Sequence, residues 1–83
     1  MKVNVRYFAS VREVIGHSTE TLEVTAATVG ALRDALIARG GVHAEALARG
    51  KAVRAALDQT MVADGAALSE GCEVAFFPPV TGG

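Results

Sequence analysis

Both ends of this chain read as strands, and a fold for it has to accommodate the two together. Residues 2–8, KVNVRYF, alternate with a two-residue period: Val3, Val5 and Tyr7 fall on one face, Asn4, Arg6 and Phe8 on the other. Near the far end EVAFFP (73–78) does the same, with Val74 and Phe76 on one face and Ala75 and Phe77 on the other. Such alternation predicts half-buried strands, and it leaves Phe8 as an aromatic on the polar side of the first one. TETLEVT (19–25) resumes β-type chemistry, with Leu22 and Val24 alternating against Glu23 and Thr25. The short ASVREVIG stretch before it predicts a helix or turn closed by Gly16, so the first two strands form an antiparallel pair.

Between the ends lies one clear helix. Thr28 can cap it, since its hydroxyl can accept from the orphan amides of a first turn. Val29, Leu32 and Leu36 then form one apolar stripe, leaving Arg33 and Asp34 to face water, and Gly40 and Gly41 stop the helix after Arg39. HAEALAR (43–49) predicts a shorter helix ended by Gly50, and VRAALD and TMV, around Gln59, two short strands or a hairpin. The order is ββαββ with a small extra helix. It packs well if the first and last strands lie side by side in the centre and the 28–39 helix crosses one face. That is an α+β, β-grasp (ubiquitin-like) arrangement, a mixed sheet with one main helix on one face. A ferredoxin-like layout fits the pattern alone as well.

Composition narrows the function classes. The chain has 83 residues, 51% hydrophobic and 20% charged, which fits a single folded domain with a modest core. Eight basic residues are scattered among nine acidic ones, so there is no footprint for nucleic acid. No apolar run approaches the roughly 20 residues that span a bilayer, and the start lacks a secretory hydrophobic region. The single cysteine, Cys72, suits a cytoplasmic setting and reads as a small buried hydrophobe. The two histidines, His17 and His43, read as surface residues near turns, with no cluster at metal-ligand spacing, so no metal is expected. Serine triads and phosphate-cradling glycine loops are missing from the sequence too.

What remains is the ending FFPPVTGG (76–83). Pro78 and Pro79 lack backbone N–H groups and hold φ near −65°, so a strand cannot extend its ladder through them. Consecutive prolines favour a stiff, extended exit. Four residues beyond them, at roughly 3.3–3.6 Å each, reach about 13–14 Å. Gly82 and Gly83 lack a Cβ and so pass where other residues cannot. The expected organisation is a β-grasp domain over 1–79 and a flexible tail over 80–83, with the Gly83 α-carboxylate as the reactive group. A carboxylate is a poor electrophile until an ATP-dependent enzyme makes it an acyl-adenylate.

In three stretches the chain resembles a known family. VRYFASVRE (5–13), DQTMV (58–62) and above all EVAFFPPVTGG (73–83) are similar to the sulfur-carrying small subunits of molybdopterin synthase, within the MoaD/ThiS group of ubiquitin-like carriers. The proline pair separates this branch from the thiamine-pathway carriers, whereas residues 38–52 match poorly. The resemblance implies that a ubiquitin-activating-like adenylyltransferase uses ATP to adenylate Gly83, which becomes a thiocarboxylate. The sulfur then passes to cyclic pyranopterin monophosphate inside the large synthase subunit, in a heterotetramer of two large and two small subunits. No cofactor is implied for this chain itself.

Within that frame, Phe76 is expected in the core and Phe77 on the opposite face beside Phe8. Phe8, Met61 and Phe77 are then a docking patch for the large subunit. Pro78, Pro79, Val80 and Thr81 line the route of the tail into it, with Gly82 and Gly83 at the reaction centre. The rival readings are a sulfur carrier for another pathway (thiamine or cysteine), a ubiquitin-like modifier forming isopeptide bonds, and a plain interaction domain.

Overall fold

The two terminal strands pair with each other. In a computed structural model, which describes residues 1–79, β1 (Lys2–Tyr7) and β5 (Glu73–Phe77) run parallel in register from Asn4↔Glu73 to Tyr7↔Phe76. The tail expected over 80–83 lies outside the described residues. β2 (Thr19–Glu23) pairs antiparallel with the other edge of β1, and β3 (Arg54–Leu57) antiparallel with the other edge of β5. β4 (Thr60–Val62) completes a five-stranded sheet in the order β2-β1-β5-β3-β4. A parallel pair needs a long crossover, and here everything between β1 and β5 supplies it. The arrangement is the β-grasp, and the ferredoxin-like layout does not fit this strand order.

Three helices cover one face: α1 (Ala9–Ile15), α2 (Val29–Ala38) and α3 (Gly41–Leu47). Gly16 closes α1 in the left-handed region at φ 94°, its N–H donating to Arg12 O at 2.8 Å, a conformation that favours glycine. Thr28 caps α2, its Oγ1 accepting from Ala31 N at 3.2 Å. The α2 stripe Val29, Leu32 and Leu36 joins Val3, Val5, Tyr7, Val74 and Phe76 in one buried cluster. Cys72 is buried in the same cluster. The β3–β4 hairpin turns through Asp58 and Gln59 at φ 48° and 70°, the positive pair a tight two-residue turn requires. Asp58 also ties that turn to β5, its Oδ1 accepting from Glu73 N at 2.9 Å.

Arg33 departs from the sequence reading. It is buried, not water-facing. α3 begins at Gly41 and stops at Leu47, earlier at both ends than the 43–49 expectation, and its last carbonyls are left without helical partners. Arg33 supplies them. Its Nε donates to Leu47 O at 2.8 Å, and its Nη2 to Ala48 O at 2.9 Å and Lys51 O at 3.3 Å. A guanidinium on α2 thus caps α3 and fastens the loop that follows.

Arg33→Ala should lower the unfolding free energy in urea by about 2–3 kcal/mol, because three carbonyls lose a charged donor. Arg33→Lys should recover only part of it, since one ammonium cannot reproduce the fork. A loss under about 0.5 kcal/mol would mean water serves those carbonyls equally well.

Candidate functional site

The route by which the chain leaves the sheet is set by the alternation of β5 and continues beyond it. Val74 and Phe76 point to the helices and are fully buried, while Phe77 lies on the outer face, half-buried. Pro78 returns to the helix side, against a small recess it shares with Val11 and Val14 of α1 and Val53 ahead of β3. Pro79 turns outward again and shares a shallow groove with Phe77, Arg54 and Met61. Both prolines are half-buried. The backbone therefore stays extended for two residues after the ladder ends, with no N–H left to add to it. Val80, Thr81, Gly82 and Gly83 lie outside the described residues.

The outer face of the sheet is divided. Its β2–β1 half is polar: Thr21 Oγ1 donates to Asn4 Oδ1 at 3.0 Å, and Arg6 lies 3.6 Å from Glu73. The middle of its β5–β3–β4 half is apolar, because the register sets Ala75 beside Ala56 and Ala56 beside Met61. The two alanines form a low floor, bordered by Phe77 and by Met61, which is 64% exposed. Phe8, 40% exposed, follows β1, its N–H donating to Phe76 O at 3.1 Å, so the parallel register continues and sets it beside Phe77. The Arg6 guanidinium stands 5.3 Å from the centre of its ring. Phe8, Phe77 and Met61 thus share one side of the sheet, with Met61 and Phe77 in the groove and Phe8 at its margin.

The inner face holds a polar corner absent from the sequence reading. The register Val5↔Glu20 and Val3↔Leu22 turns Glu20 toward the helices at the edge of the sheet. There its Oε2 faces Tyr7 Oη at 2.7 Å, His43 Nε2 at 2.9 Å and His17 Nε2 at 3.2 Å, while Arg39 Nη1 donates to Oε1 at 2.9 Å. Burial pushes the Glu20 carboxyl up, but the hydrogen bonds from His43, Tyr7, Arg39 and His17 outweigh it and hold it down at about 2. Burial, then the bond to Glu20, pushes the Tyr7 phenol upward, so it remains a donor. His17 lies near the surface, as expected from its turn, but His43 is buried against Tyr7, a correction to the surface reading. The phase of TETLEVT carried the missing signal: Glu20 alternates with Leu22 and Val24, on their side of the strand.

A β-grasp sheet that sends its central last strand into an extended proline exit beside an apolar outer face defines a small ubiquitin-like protein. The chain belongs to the ThiS family, whose model matches residues 5–83. It is 48% identical over 83 residues to the molybdopterin synthase sulfur carrier subunit of Escherichia coli, and 44% identical over 81 residues to that of Haemophilus influenzae. Each likeness covers 98% of this chain and 99% of the relative. Among solved structures, small archaeal modifier protein 1 of Haloferax volcanii is 29% identical, with a TM-score of 0.76 over 95% of this chain and 98% of that one. Among the described residues, no helix is long and apolar enough to cross a membrane.

Adjacent phenylalanines on opposite faces should behave differently. Phe76→Ala should cost about 3–5 kcal/mol of stability, as core truncations do. Phe77→Ala should cost less than half as much in the same urea titration. Equal losses would make Phe77 a core residue.

Proposed function

We propose that this chain is the sulfur carrier of a molybdopterin synthase and that the carboxyl of Gly83 is its working group. The observation that carries the proposal is the exit geometry: Phe76 is locked in the core, and Phe77, Pro78 and Pro79 follow in an extended line beside an apolar sheet face. Near-full-length likeness to two proteins named as such carriers supports it. In this reading a ubiquitin-activating-like adenylyltransferase brings ATP, and none of the cofactor chemistry belongs to the carrier. The Gly83 carboxylate attacks the α-phosphate, pyrophosphate leaves, and a sulfur nucleophile then displaces AMP to give a thiocarboxylate.

The carrier's own contribution is placement. Gly82 and Gly83 enter the large subunit, with Val80 and Thr81 spanning the distance and Pro78 and Pro79 fixing the direction. Phe8, Met61 and Phe77 dock against that subunit, and the alanine floor lets the partner approach closely. Inside, the thiocarboxylate sulfur attacks cyclic pyranopterin monophosphate, water then cleaves the acyl–sulfur bond to return Gly83 as a carboxylate, and two such rounds build the dithiolene. The assembly is a heterotetramer of two large and two small subunits in the cytoplasm, a setting that matches the unpaired, buried Cys72. A thiocarboxylate suits the task because its sulfur is a better nucleophile at neutral pH than a carboxylate oxygen.

A second reading, a modifier joined to lysines through Gly83, takes its support from the likeness to the archaeal modifier protein. Reconstitution with the large subunit and precursor separates the two. Molybdopterin formation that disappears when Gly83 is deleted, with thermal unfolding unchanged, is the expected result. Stable attachment to lysines with no molybdopterin formed would favour the modifier. Phe77→Ala should weaken binding to the large subunit by ~2 kcal/mol, the size of an interface hot spot. Unchanged affinity would remove Phe77 from the interface.

A further inference from the structure

The corner around Glu20 takes no part in the docking or the sulfur chemistry, and hydrogen bonding alone accounts for it poorly. A carboxylate oxygen offers about two lone-pair directions. Glu20 Oε2 faces three potential donors, Tyr7 Oη at 2.7 Å, His43 Nε2 at 2.9 Å and His17 Nε2 at 3.2 Å. Two imidazole nitrogens and one carboxylate oxygen thus converge on a single region, all within 4.8 Å of one another. In tetrahedral zinc sites, bonds of about 2.0–2.2 Å to nitrogen and oxygen place neighbouring ligand atoms about 3.3–3.5 Å apart. The two oxygen–nitrogen separations, 2.9 and 3.2 Å, are close to that, and the two imidazoles lie within 4.8 Å of each other.

We propose that His17, Glu20 and His43 bind a late first-row divalent cation, zinc being the ion whose preferences they fit. The cation takes the place of the two imidazole protons on Oε2, which relieves the crowding. Tyr7 remains as the outer partner that orients the carboxylate, and Arg39 holds the other oxygen, Oε1, at 2.9 Å. The ligands come from rigid surroundings. His17 follows the Gly16 cap in a turn pinned by the Tyr7 N–H to Ser18 O bond at 2.8 Å, Glu20 is in β2, and His43 is buried in α3. His17 is half exposed, so the ion enters from its side and water fills the fourth position. The positive charge of Arg39 opposes the ion, and three protein ligands set against it give a reversible site. A bound ion fastens α3 to the edge of the sheet.

The test uses the untagged full chain, stripped with a chelator and titrated with Zn²⁺ at pH 7.5 against a chromophoric competitor. One zinc per chain is expected, with binding at least about tenfold weaker in His17→Ala and in Glu20→Gln. His17→Ala alters a surface side chain and should fold, which circular dichroism checks; His43→Ala would remove a buried ring and is not needed. Co²⁺ should give the intense visible bands of a four-coordinate ion in the parent chain and lose them in His17→Ala. The parent's thermal midpoint should rise with Zn²⁺, and that of His17→Ala should not. Absence of stoichiometric binding, or binding that His17→Ala leaves unchanged, overturns the proposal.

Discussion

The parallel pairing of β1 with β5 is the contact on which the other features depend. It joins the two ends of the sequence at the centre of the sheet, where Val3, Val5, Tyr7, Val74 and Phe76 are nearly free of solvent. Because the strands run in the same direction, Phe8 and Phe77 leave the sheet together at one end. The apolar half of the outer face and the proline exit then adjoin each other as a consequence of register. A slip of one residue would exchange Phe76 with Phe77 and turn the exit toward the helices.

A chain this small has little core to spare, and its buried polar groups are used to hold elements together. Arg33 closes the end of α3 from α2, and Glu20 gathers side chains from β1, the C-cap of α2, α3 and the turn after α1. Both sit where helices meet the rim of the core, the region that apolar packing alone leaves least determined. Among the described residues, every buried side-chain nitrogen or oxygen has a partner. The helical layer is therefore held by specific polar contacts as well as by apolar packing.

Much of this was legible in the sequence because it rests on local periodicity. KVNVRYF and EVAFFP give their faces directly, Thr28 and Gly16 mark helix ends, and the proline pair marks where the ladder must stop. The resemblance to the carrier family resolved the choice between β-grasp and ferredoxin-like layouts, which periodicity left open. Arg33, His43 and Glu20 were not legible in the same way. Each is polar and sits at a position whose surroundings come from distant segments: α3 for Arg33, and β1 with the α1 turn for His43. A helical wheel assigns such residues to water, since it records one helix and none of its neighbours. For Glu20 the phase of the strand was available, but a carboxylate on an inward phase is readily taken for an edge residue in solvent.

Whether Gly83 carries sulfur can be read from intact mass. The protein is incubated with ATP, a cognate activating enzyme and a sulfur source, and the C-terminal peptide is resolved. Replacement of one oxygen by sulfur, located on the peptide that ends in Gly83, is the expected result. An unchanged mass, under conditions that charge a control carrier, would contradict it.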